Sequence, residues 1–265
     1  MKRRRGRGSL GWWLIFGLAV FYFFLPLLAT LDFSLKAKPF LSAYTNSISD
    51  PAFVTGLVYS FVVGFITIVV SLGLIVPTAY WVQLKVPRAR GLVEFVSLLP
   101  FVIPPVVLVF GLIRVYSQPP LPFTHTDIGS SALLVFGYVV LSLPYMYRAV
   151  DTGLRSIDIR TLTEAAQSMG AGWPTILWRI ILPNVRVAIL SGAFLTLAIV
   201  LGEFTISSFL ARPAFAPYLN QISNSKSYEP AAVALISFGL TWLAMIFIAI
   251  VGRGSRSGIE IGGAH

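Results

Sequence analysis

The sequence predicts an all-α membrane protein with six transmembrane helices, and three observations carry that class. Of 265 residues, 56% are hydrophobic and 11% charged, with a mean hydropathy of +0.82, which is outside the range of a water-soluble domain and makes lipid the solvent for most of the chain. Six apolar runs, at 11–31, 54–81, 92–116, 129–149, 188–211 and 230–251, are each near the ~20 residues that a helix needs to cross a bilayer. Lys and Arg divide unevenly among the connections. Residues 1–10 hold five, 85–91 three, 148–187 five and 252–265 two, fifteen in all, against Lys36, Lys38, Arg114, Arg212 and Lys226 on the other side. Basic connections stay in the cytoplasm, so both termini and the 150–187 connection are expected inside, with 32–53, 117–128 and 212–229 outside.

In chain order, the first run follows Lys2-Arg3-Arg4-Arg5, a start shared with secretory signals. Its length, and the lack of a small-residue cleavage pattern before Asp32, favour a retained helix. Pro26, Pro77, Pro100, Pro104, Pro105 and Pro144 fall inside the runs. Each removes a backbone donor, which lipid tolerates only where a neighbouring helix or a water-lined cavity meets the freed carbonyl. Leu99-Pro100-Phe101-Val102-Ile103-Pro104-Pro105 is the densest case and predicts a bent or interrupted third span facing a pathway. There is no internal repeat. The organisation read from this is a basic cytoplasmic N-terminus (1–10), one membrane domain (11–251) and a cytoplasmic tail (252–265).

Several function classes are excluded by what the chain lacks. It has no cysteine, so neither a disulfide framework nor thiolate chemistry is available. The formal charge of +10 is scattered through short connections and forms no stripe that would follow a phosphate backbone, so no nucleic-acid partner is expected. The only histidines are His125 and His265, which leaves no metal cluster and no Ser/His/Asp arrangement. No G-x-x-x-x-G-K-S/T phosphate loop occurs. The chain reads as noncatalytic.

The connection between the fourth and fifth runs has its own pattern over 158–183. Leu162, Ala165, Ala166 and Met169 recur at i, i+3, i+4 and i+7, one face of a short helix. Gly170 is placed to take the left-handed conformation that ends it, and Trp173-Pro174 restarts the chain. Ile176, Leu177, Ile180 and Ile181 then continue an apolar face toward Pro183. This periodicity fits two roles equally: a helix that docks into a partner groove, and one that lies on lipid headgroups.

Glu164-Ala165-Ala166, three residues, Gly170, nine residues, Ile180, one residue and Leu182-Pro183 match the signature that this region resembles, that of permease subunits of type I binding-protein-dependent ABC importers. The resemblance implies six spans with a cytoplasmic coupling helix near 164–172, between the fourth and fifth. It also implies a prokaryotic inner or plasma membrane location, a separate ABC ATPase dimer that binds ATP and Mg, and a second, identical or homologous permease. An extracytoplasmic substrate-binding protein completes the set. This chain itself would hold no cofactor.

The substrate reading is thinner. Glu203 is the one acidic residue deep in a run, nine positions before Arg212 or about 13 Å along a helix. A charge there costs roughly 2.5–3.5 kcal/mol, which makes it a functional candidate, either facing the pathway or bonding a neighbouring helix. Ser207 is expected one turn further on the same face, with Thr205 beside it. Leu201-Gly202-Glu203-Phe204-Thr205-Ile206-Ser207-Ser208-Phe209 is similar to the corresponding region of spermidine/putrescine-type permeases, in which an acid precedes Phe. Polyamine import is the leading expectation. Iron(III), thiamine, sulfate or phosphonate permeases share the layout, and an ion-coupled secondary transporter is the competing class.

Overall fold

The structure, a computed structural model, describes residues 8–253, and these form helices and connections without a strand. The basic stretch Lys2-Arg3-Arg4-Arg5 and the tail from 254 to His265 lie outside the described residues. The helices are α1 (Gly8–Leu35), α2 (Ser42–Ile48), α3 (Pro51–Leu84), α4 (Arg90–Val102), α5 (Pro105–Tyr116), α6 (Asp127–Arg155) and α7 (Ile159–Ser168). They continue as α8 (Trp173–Ile176), α9 (Leu182–Asn184), α10 (Arg186–Gly202), α11 (Thr205–Phe209), α12 (Phe215–Ser223) and α13 (Glu229–Arg253). A π-helical turn over 177–181 joins α8 to α9.

Four helices, α1, α3, α6 and α13, are long and apolar enough to cross a bilayer unbroken, and Pro26, Pro77 and Pro144 sit inside three of them without interrupting the chain. The third expected run is interrupted, with its two halves bent by 99°. The residue before a proline is pushed out of the helical region. Pro104-Pro105 imposes this twice, so Ile103 and Pro104 are extended although the helix passes through Pro100. A second bend, of 80°, separates 173–184 from α10. The fifth run also stops early, at Gly202, where a helix to 211 was expected. Counting each bent pair as one span brings the candidate spans among the described residues from four to as many as six, although the first half of the second pair lies in the 158–183 connection and not in the expected fifth run.

Contacts divide the chain into two units. One comprises the N-terminal part to Val54 with 219–240. Within it the Ser34 and Tyr44 hydroxyls lie 2.6 Å apart, the Phe33 and Tyr228 rings 5.1 Å apart, and Ala37, Ala43 and Ala232 are buried together. The other unit, 55–218 with the part from 241, carries the main core.

Partner numbering in that larger unit gives the helix directions. Tyr59 meets Ser131 at 2.8 Å, Ser71 meets Ser142 at 3.1 Å, and Gln83 donates to Asp151 at 2.9 Å. Both numbers rise together, so α3 and α6 run parallel and the broken α4–α5 segment has to bring the chain back between them. Along α6 and α10 the numbers run oppositely: Gly153 lies against Ala188, Gly192 against Met146, and Tyr138 donates to the Glu203 carbonyl. Those helices are antiparallel and close. A Cβ on Gly153 would collide with Ala188 Cβ, an atom that cannot move aside without its backbone, so only a glycine allows this approach. Interhelical hydroxyl bonds of this kind contribute about 0.6 kcal/mol each in a membrane protein.

One charged cluster ties α3, α4 and α6 at the end that leads into α7. Arg90 Nε donates to Glu94 at 2.9 Å, Arg155 to Glu94 at 3.2 Å and also to the nearly buried Asp151, which Arg90 approaches at 3.9 Å. Removing one partner of such a set leaves a half-buried charge uncompensated.

Candidate functional site

The 158–183 connection is built as a locked inner side and an open outer side. Asp158 starts α7: its Oδ1 accepts the Thr161 N–H at 3.2 Å and its Oδ2 accepts the Thr161 hydroxyl at 2.7 Å. These bonds, the hydroxyl first, hold the Asp158 carboxyl below the usual carboxylate value. Because the folded value is depressed, the cap contributes fully above the ordinary range and is lost as pH falls through the folded value. Acidification below about pH 4 is therefore expected to fray the first turn of α7, read from backbone chemical shifts of 159–162, and Asp158→Asn to remove that pH dependence.

The inner side packs on the C-terminal parts of α3 and α6. Ile159, Ala166, Ile176, Leu177 and Ile181 share one core with Ile75, Val76, Ala79 and Tyr80 of α3 and with Tyr147, Val150 and Leu154 of α6. The Thr163 and Tyr80 hydroxyls, both buried, lie 3.1 Å apart. Each isoleucine or leucine so buried contributes about 1.5–3 kcal/mol. Ile180 and Leu182 are partly buried against the same core, and Pro183 is exposed in α9.

The outer side is small and mostly uncovered. Glu164, Ala165, Ser168, Met169 and Gly170 are exposed, Met169 at 80%. Glu164 accepts from Arg160 at 2.8 Å in a solvent-facing pair. Gly170 has φ +80, and its N–H closes on Gln167 while the Ala171 N–H closes on Ala166. The chain then turns into α8, where the Trp173 and Trp81 rings are 5.3 Å apart.

The face expected from periodicity is divided between the two sides. Ala166 is 1% exposed and belongs to the core with Ile159 and Thr163, whereas Ala165 and Met169 point outward. A larger side chain separates the two alanines. Ala166→Leu is expected to overpack the core and destabilise by about 1–3 kcal/mol, Ala165→Leu to stay within about 0.5 kcal/mol, as measured by thermal unfolding of the purified chain. Sequence reasoning missed the Asp158 cap as such, the Thr163–Tyr80 tie and the outward Met169. Of these only the cap had a local signal, an acid three residues before Thr161.

Glu203 occupies a break in the chain where a helix interior was expected. Its backbone is extended after α10, and it is 9% exposed. The carboxylate accepts the Ile206 N–H at 2.9 Å on each oxygen and the Ser207 N–H at 3.3 Å, so it caps the first turn of α11. Ser207 is fully buried, and its hydroxyl donates to the Glu203 carbonyl at 2.9 Å; Thr205 is partly exposed at the start of α11. Arg212 pairs with Asp127 at 2.7 Å. Glu203, Ser207 and Tyr138 are thus one buried polar knot between α6, α10 and α11.

Helices of this length and apolarity, with two pairs of them sharply bent, fit a multi-pass membrane protein. Residues 72–257 match the family described as binding-protein-dependent transport system inner membrane component, and the chain belongs to that family. It is 34% identical over 69% of its length to a probable ABC transporter permease protein of Sinorhizobium fredii, of which it spans 34%. It is 28% identical over 90% of its length to a probable molybdenum ABC transporter permease of Haloferax volcanii, of which it spans 88%. Over 47% of its length it is 29% identical to the spermidine/putrescine transport system permease PotC of Escherichia coli, and covers 48% of that protein. The fold resembles a chain of a bacterial ABC transporter involved in import of the acidic polysaccharide alginate, with TM-score 0.62 and 18% identity over 96% of this chain and 99% of that one.

Proposed function

We propose that the chain is a noncatalytic permease subunit, half of the translocation pathway of an ATP-driven importer, with α7 as its coupling helix on the cytoplasmic side. The supporting observation is the two-sidedness of 158–183: the inner side is fastened to α3 and α6, the outer side is left open for a groove. An element so fastened moves as a rigid body with the spans it is packed on. A separate ABC ATPase dimer binds ATP and Mg and receives α7 in a cleft. Its closure tilts the attached spans and switches the pathway between inward-open and outward-open. A second permease, identical or homologous, supplies the other half, and an extracytoplasmic binding protein delivers the solute.

For the solute we propose a polyamine of the spermidine/putrescine kind, on the strength of Glu203 at a chain break within the fifth run and the similarity to PotC. Molybdate is the competing reading. It is favoured by the relative matched over nearly its whole length and by the hydrogen bonds that already occupy the Glu203 carboxylate. Affinity purification from native membranes tests the first reading. Glu164→Arg reverses the charge at the outer face and is expected to lower ATPase recovery about tenfold or more while the chain stays folded. Unchanged recovery, or solute uptake by the chain alone on an ion gradient, contradicts it. Uptake of labelled putrescine, spermidine and molybdate by the assembled transporter decides the solute.

A further inference from the structure

We infer that the groove where α4, α6 and α10 meet is a binding site for one anionic phospholipid, its phosphodiester held by Arg148 and the Tyr147 hydroxyl and one acyl chain lying over Leu98, Phe101 and Leu195. Two adjoining cavities, about 500 and 460 Å³, share Leu98, Pro144, Arg148 and Thr152. They differ in character, and the difference matches an amphiphile.

The first cavity contains Arg90, Glu94, Arg148, Asp151 and Arg155. Arg90, Glu94, Asp151 and Arg155 pair among themselves, whereas Arg148 has no ion-pair partner among the described residues. Three cations against two anions leave one positive charge, which a phosphodiester balances and a zwitterionic headgroup does not. Tyr147, 5% exposed, lines the same space, and its buried hydroxyl lacks a hydrogen-bond partner. A phosphate oxygen is an acceptor that satisfies it.

The second cavity is apolar, with Leu98, Phe101, Ala188 and Leu195 on its walls. An inorganic phosphate or a small hydrophilic solute would leave these walls uncovered; an acyl chain covers them. Arg148 lies seven residues before the end of α6, about 10 Å along the helix, at the end that leads into α7. This is the level at which arginine side chains reach lipid headgroups, and each such contact to anionic lipid strengthens binding about fivefold.

Native mass spectrometry of the full-length purified chain, with dioleoyl phosphatidylglycerol and dioleoyl phosphatidylcholine supplied equally, tests the site. The wild type is expected to retain the glycerol lipid about fivefold over the choline lipid, and Arg148→Gln to abolish that preference. Leu195→Trp, which fills the apolar half, is expected to lower retention of phosphatidylglycerol several-fold with Arg148 intact. If Arg148→Gln does not fold, Arg148→Lys, expected to keep the preference, and Leu195→Trp carry the test. Equal retention of the two lipids by the wild type overturns the inference, as does an unchanged preference in Arg148→Gln or undiminished retention in Leu195→Trp. So does displacement of the lipid by millimolar inorganic phosphate, which would mark a free-anion site. The chain has no native cysteine, so Leu195→Cys is a unique label. Its crosslinking to a second copy of the chain regardless of added lipid would show the groove to be a subunit interface instead.

Discussion

Gly170→Val is expected to destabilise the turn after α7 by about 1–2 kcal/mol and to strip the proposed ATPase partner from the complex, whereas Gly170→Asn is expected to preserve most of both. The cause is the backbone. Gly170 sits at φ +80, a region that a β-branched residue avoids and that asparagine tolerates. Crowding is not involved, because a Cβ built there meets nothing within 4 Å. Two bonds depend on this conformation, Gly170 N–H to Gln167 and Ala171 N–H to Ala166, and together they end α7 and aim the chain into α8. With φ forced negative, Trp173 leaves Trp81 and the outer face is presented at a new angle. Hydrogen exchange at 166–171 reads the turn, and recovery of the ATPase reads the docking. Equal losses in both variants would mean that side-chain volume at the docking surface, and not the turn, is what matters.

The features that local chemistry determines were legible in the sequence. Gly170 as the stop of α7, Trp173-Pro174 as the restart and the break at Pro104-Pro105 each follow from one or two residues and their neighbours. The orientation of α7 about its axis was not legible. At 100° per residue, the expected stripe through Leu162, Ala165, Ala166 and Met169 is rotated by about 75° from the side that Ile159, Thr163 and Ala166 bury. Thr163 counts as polar in a periodicity, yet its hydroxyl donates to the Ile159 carbonyl at 2.7 Å within α7 and lies 3.1 Å from the hydroxyl of Tyr80, 83 positions earlier. Met169 counts as apolar and stands exposed. The charged cluster on α3, α4 and α6 escaped for the same reason: Gln83, Glu94 and Asp151 meet only once the helices are packed.

Glu203 is the residue whose setting differs most from the helix interior expected of it, and its variants are expected to divide sharply. Glu203→Ala leaves the Ile206 and Ser207 N–H groups buried without an acceptor, at a cost of about 1–3 kcal/mol for each donor that water cannot reach. It should also free the Ser207 hydroxyl and the Tyr138 contact to drift, since both bond the Glu203 carbonyl at the same break. Glu203→Gln keeps one carbonyl oxygen toward Ile206 and removes the charge. If the carboxylate acts as a cap, Gln restores most of the thermal stability and of the uptake that Ala loses. If it attracts a cationic solute, Gln restores stability alone, and polyamine uptake falls as far as in Ala. Measuring unfolding and uptake on the same three proteins therefore separates the two roles, because stability responds to the acceptor atom and cation binding responds to the charge. Loss of uptake with stability intact in Glu203→Gln is the result that the polyamine reading requires.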